Sequence, residues 1–147
     1  MGELLWVSTF GGEFNDLATD IAIGNDGNVV VVGTIKGFTT FSDGSTLDTG
    51  SLVTGSVEPD LKTIVIKLDS SDGSIIWKRL IETYKLSGYN LALTSNDDII
   101  ISGIYSNPAS YSSGDNYFFK VSYVDGSIIV DDKILKSVDP TSYRVGD

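Results

Sequence analysis

Apolar and polar positions along the chain alternate with a period of two or gather into short β-branched runs, and helical spacing is sustained nowhere. This pattern predicts strands at about 20–24, 28–35, 63–69 and 74–81, and a second set at about 89–94, 98–105, 116–123 and 127–135. Short turns rich in Asn, Asp, Ser and Gly separate the strands within each pair: Asn25–Asn28, Ser70–Gly73, Ser95–Asp98 and Val124–Gly126. These residue types tolerate tight turns, so each pair reads as a hairpin.

The two sets are copies of one unit. Residues 20–34, DIAIGNDGNVVVVGT, align without a gap on 90–104, NLALTSNDDIIISGI, at an offset of 70, which places Ile21 on Leu91, Ile23 on Leu93 and Gly33 on Gly103. Residues 64–77, IVIKLDSSDGSIIW, align on 117–130, YFFKVSYVDGSIIV, at an offset of 53. There Lys67 falls on Lys120, and Asp72-Gly73 on Asp125-Gly126. The difference of 17 residues lies in the segment between the two halves of the first unit. Each unit is predicted to be a four-stranded antiparallel meander. The ends carry further copies: GELLW at 2–6 matches GSIIW at 73–77, and Thr141–Val145 resembles Ser87–Leu91. The chain is therefore expected to run from the last strand of a preceding unit (1–19), through unit one (20–81) and unit two (82–135), into the start of a further unit (136–147), as a fragment or a protomer of a larger repeat array.

The stretch 6–34, WVSTFGGEFNDLATDIAIGNDGNVVVVGT, resembles the bacterial seven-bladed β-propeller repeat family. The match is carried by Trp6, Gly11, Gly12, Asp16, Ala18, Asp26, Gly27, Asn28, Gly33 and Thr34. The Asp72-Gly73 and Trp77 spacing is also similar to quinoprotein-type propeller repeats. The resemblance weakens in unit two, where Val130 stands in place of the Trp. It implies an all-β fold with two four-stranded blades plus partial flanking strands. It implies no particular activity, because propellers carry many unrelated functions. Trp6, Trp77, Gly33, Gly103, Asp72, Gly73, Asp125 and Gly126 are taken as structural repeat positions, with each indole packed between neighbouring units. Lys67 and Lys120 are expected to line a strand face in water.

Composition narrows the chemistry. The chain of 147 residues has no cysteine and no histidine, so disulfides, thiolate metal sites and His-based triads are excluded within it. Its net charge of −10 opposes nucleic-acid phosphates and anionic membrane surfaces. No basic segment followed by an apolar stretch opens the sequence, and no apolar run approaches the roughly 20 residues of a spanning helix, so no membrane insertion is expected. The acidic turns lack the ligand ladder of a calcium loop, Gly11-Gly12 lacks the Lys and helix of a phosphate loop, and neither a metal nor a cofactor is expected.

In a meander the second turn and the link to the next unit lie at one end of the strands. The long connections, roughly Lys36–Lys62 and Ser106–Asp115, and the links near Ser8–Thr19 and Glu82–Gly88, should emerge there together. Phe38, Phe41, Tyr105 and Tyr111 lie in or beside them and are the candidate ligand-binding residues, suited to stacking on a sugar or anchoring a protein. Their structural alternative is to cap the ends of the core. The expected function is a non-catalytic binding or scaffolding module in an extracellular, cell-surface or virion setting, with a protein or glycan on the long-loop face and further blades or self-association elsewhere. The alternatives are a fragment of a quinoprotein-like propeller enzyme and a purely structural ring closed by self-association.

Overall fold

In a computed structural model, the structure describes residues 2–50, 61–81, 86–106 and 114–129. Ten strands follow one another and no helix occurs among the described residues: β1 Phe10–Gly12, β2 Leu17–Ile23, β3 Val29–Lys36, β4 Phe38–Phe41, β5 Thr46–Asp48, β6 Leu61–Leu68, β7 Ile75–Ile81, β8 Leu86–Leu93, β9 Ile99–Ser106 and β10 Gly114–Val121. They form three antiparallel sheets, ordered β2-β3-β6-β7, β10-β9-β8 and β1-β4-β5.

The four-stranded sheet is the predicted meander of unit one. The three-stranded β8-β9-β10 sheet is unit two. Its expected fourth strand is represented by a single bridge, Val121 to Ile128, and the rest of the predicted 127–135 strand lies outside the described residues, as do 136–147. Among the described residues the two units' sheets hold four and three strands, and no closed or propeller-like arrangement is present.

A correction concerns the segment read as a long connection. Residues 38–48 form the β4-β5 hairpin, and β4 also pairs with β1, with Phe10 opposite Phe41 and Gly12 opposite Thr39. The N-terminal stretch was expected to carry the last strand of a preceding unit at 2–6, but residues 2–9 form no strand, and the strand that does form, Phe10–Gly12, pairs with the inserted segment of unit one.

The repeat is visible bond by bond. In the first turns, Gly24 N donates to Asn28 O and Thr94 N to Asp98 O, both at 2.9 Å. In the third turns, Asp69 N donates to Ser74 O at 2.8 Å and Ser122 N to Ser127 O at 2.7 Å. A bulge interrupts β2 between Ala18 and Asp20, and its counterpart interrupts β8 between Gly88 and Asn90. Gly33 and Gly103 lie opposite these bulges, paired with Ala18 and Gly88. A Cβ on Gly33 would come within 2.3 Å of the Leu17 carbonyl oxygen, which explains the glycine there.

The central strands β3 and β6 are buried along nearly their whole length, as their continuous β-branched runs require of strands covered on both faces. One face of the four-stranded sheet, through Val30, Val32 and Val65, forms a core with Ile99, Ile101 and Val121 of unit two. The opposite face, through Val29, Ile35, Ile64 and Ile66, forms a second core closed by Phe41, with Trp6 and Phe10 packed against it.

Candidate functional site

The β4-β5 hairpin decides how the connection-rich end is built. Strand alternation sends Thr39 and Phe41 inward and leaves Phe38 and Thr40 exposed. Phe41 is 3% exposed and stacks on Phe10 with ring centroids 6.1 Å apart, while Lys78 Nζ lies 5.0 Å from its ring and 3.0 Å from the Asp43 carboxylate. Gly37 N donates to Thr49 Oγ1 at 2.8 Å at the base of the hairpin, and Lys36 N donates to Asp16 Oδ1 at 2.8 Å. The hairpin is thus fixed to the end of the four-stranded sheet. Phe38, 57% exposed, is the aromatic that it offers to solvent. Phe14 is also exposed at this end, with Lys36 Nζ 5.7 Å from its ring centroid.

The four aromatic candidates therefore separate. Phe38 is available, and Phe41 is corrected to a core residue, because the alternation that exposes one buries the other. Tyr105 pairs through its backbone with Leu86 and Asp115, but its side chain lies outside the described residues, and so does the whole of Tyr111.

Trp6 and Trp77 occupy matching environments. Trp6 Nε1 donates to Ser70 O at 2.9 Å and Trp77 Nε1 to Tyr123 O at 3.1 Å. Each indole lies over the glycine of the third turn of the unit that follows it in sequence. A Cβ on Gly73 would lie 2.4 Å from Trp6 Cε3, and one on Gly126 would lie 2.9 Å from Trp77 Cε3. Both glycines also have φ of +73°, a conformation that disfavours any side chain. Asp72 and Asp125 hold these turns by accepting from the backbone N–H of Ser74 and Ser127 at 2.8 and 3.0 Å. The backbone N–H and hydroxyl of Ser127 hold the Asp125 carboxyl down to about 2.

A polar cluster between the two units escaped the sequence. Lys67 is buried rather than lining a strand face in water. Its Nζ is 3.1 Å from Asp26 Oδ2 and 3.6 Å from the centroid of the Tyr123 ring. The Tyr123 hydroxyl donates to Asp26 Oδ1. That hydroxyl, with the Asn28 N–H and Lys67, holds the Asp26 carboxyl well below the usual range against the opposing cost of burial. Burial and the Asp26 carboxylate push the Tyr123 phenol upward. Lys120, the repeat partner of Lys67, pairs with Asp98 instead and remains partly exposed. The missed signal was Tyr123 itself, which stands where unit one has Ser70. Two further contacts tie the units: Leu91 N donates to Asp20 Oδ2 at 2.8 Å, and Asn25 N donates to the Asp97 carboxylate at 3.2 Å.

No group of three or more acidic side chains placed to hold a metal occurs among the described residues. Comparison with family models, curated proteins and solved structures finds no match for this chain.

Proposed function

We propose that the chain is a β-propeller-type repeat module that binds or scaffolds rather than catalyses, and that it meets its ligand at the end carrying the inserted hairpin. The observation that carries this reading is the contrast within β4: Phe41 is locked into the core while Phe38, three residues earlier, is exposed on a hairpin held by paired strands. A rigid platform that presents an aromatic ring suits stacking on a sugar face or docking on a protein surface. The absence of His and Cys from the sequence supports a non-catalytic role, and the acidic charge favours neutral or cationic ligands. An extracellular, cell-surface or virion setting fits such a module.

The test is a glycan array read alongside binding to intact cell envelope, for the parent chain and for Phe38→Ser. The reading expects binding that falls at least about tenfold in the variant, the scale of losing one anchoring ring. Binding that is absent from both assays, or unchanged by the substitution, rejects this face as the site.

A further inference from the structure

Inside the chain, unit one meets unit two through two unlike halves. The Val30, Val32 and Val65 side of β3 and β6 is the donor half. Leu91, Leu93, Ile99 and Ile101 of β8 and β9 form the acceptor half. The repeat gives every chain a second copy of each half. The acceptor positions return in unit one as Ile21, Ile23, Val29 and Val31. Ile21 and Ile23 are 62% and 69% exposed, whereas Leu91 and Leu93 are packed against the core. Val29, Val31 and Ile21 line an open, largely apolar groove of roughly 190 Å³ together with Trp6, Ala18 and Ile66. The donor positions return in unit two as Ile100, Ser102 and Phe118. Phe118 is 64% exposed and Ile104, on the same side of β9 as Ile100, is 37% exposed.

We propose that the groove on unit one takes a second copy of this chain, seated by the outer side of that copy's β8-β9-β10 sheet. Three observations favour this occupant over an unrelated apolar partner. The two surfaces, open at Ile21 and Ile23 on unit one and at Phe118 and Ile104 on unit two, are repeat copies of two halves that already fit together within the chain, and on unit one Val29 and Ile66 are already covered by the second core. The β2 and β8 bulges coincide in the repeat, so the Asp20 to Leu91 N–H contact has a counterpart. The incoming Asn90, which is exposed, stands opposite the Ile21 N–H, now held at 2.8 Å by Asp20 Oδ1 of its own strand, and would share it. Finally, Trp6 on Gly73 already occupies the place that Trp77 takes on Gly126, and the groove opens beside that indole.

The contact is heterologous, with different surfaces on the two copies. It is weaker than its intramolecular model, because Ser102 replaces Val32. Two chains of charge −10 also repel, so added salt strengthens the association. The inference rests on the repeat-module reading but not on the ligand at Phe38.

Sedimentation velocity of the 147-residue chain tests it, with protein concentration raised in about 1 M NaCl, where the screening length falls to roughly 3 Å. The parent chain is expected to self-associate. Ile21→Glu blocks the groove and Phe118→Glu blocks the outer side, so each alone should associate at least about tenfold more weakly. Each variant keeps the half that the other lacks. An equimolar mixture should therefore form a one-to-one heterodimer and stop there. Both positions are exposed, and circular dichroism melts confirm folding. If either glutamate variant unfolds, Ile21→Ser and Phe118→Ser replace the pair. A parent chain that stays monomeric throughout, variants that associate like the parent, or a mixture that forms no heterodimer overturns the proposal. A monomeric parent that still binds through Phe38 would remove this inference and leave the loop-end reading standing.

Discussion

The two units place the same sequence pattern in different surroundings. Leu91 and Leu93 pack against the core between the units, while Ile21 and Ile23, their counterparts, lie open to solvent. Lys67 is enclosed by Asp26 and the Tyr123 ring, while Lys120 pairs with Asp98 at a partly exposed site. The strands themselves are alike. What differs is whether a neighbouring sheet lies against them. At these paired positions burial follows the neighbouring sheet, and stability should follow it.

The sharpest way to break that comparison is to truncate equivalent positions. Ile101→Ala, at a fully buried site between the units, should cost about 3 kcal/mol, whereas Val31→Ala at its counterpart should cost roughly 1 kcal/mol, both read from urea midpoints. Equal losses would mean that the strands carry stability independently of their neighbours.

The next effect concerns the indole contacts, where the units should agree. Gly73→Ala and Gly126→Ala combine a disfavoured φ with a clash against an indole, and each should cost about 2 kcal/mol. In the Trp6→Ala and Trp77→Ala backgrounds the respective penalties should shrink to the backbone part, about 1 kcal/mol. The closer approach at Gly73 makes its coupling the larger of the two. Coupling seen at one pair and missing at the other would show that the repeat does not reproduce the contact.

A smaller difference separates the lysines. Tyr123→Phe removes the hydroxyl that Asp26 accepts. It should cost about 1 kcal/mol, a charged hydrogen bond discounted for the 43% exposure of the Asp26 side chain. Lys120→Met should stay within about 0.5 kcal/mol, as a partly exposed pair should.

The smallest effect is the pH dependence of that same comparison. The Asp26 carboxyl is held low, so its contribution is full above the ordinary carboxylate pKa of about 4 and is lost as pH falls through the folded value. The Tyr123 phenol is pushed up, so its contribution is full below the ordinary pKa of about 10 and is lost as pH rises through the folded value. The stability gap between the parent chain and Tyr123→Phe should therefore be flat from about pH 5 to 9 and narrow on both sides. A gap that changes near neutrality would show that some other group titrates with the cluster.

Much of this fold was legible because strands and tight turns are local. The predicted strand cores at 28–35 and 74–81 lie close to β3 and β7, and the turns at Asn25–Asn28 and Ser70–Gly73 bond as their residues require. The β4-β5 hairpin was missed because its strands are only four and three residues long, too short for a periodic signal, and because β4 is completed by β1 from 29 residues earlier in the register. Phe38 and Phe41 could not be told apart from the sequence for the same reason, since their opposite orientations follow only once the strand between them is known. The Lys67 cluster was invisible because Asp26 and Tyr123 are separated by 97 residues and meet only across an interface between sheets.

Each indole contact also has a direction in time. Trp6 rests on a turn 64 residues further along the chain and Trp77 on one 46 residues further along. During synthesis from the N-terminus, each tryptophan emerges well before its seat exists, by some 3 to 13 seconds for the longer wait at about 5–20 residues per second. Each of the two indoles is therefore unsheltered when it emerges, and is seated only by the arrival of the unit that follows it.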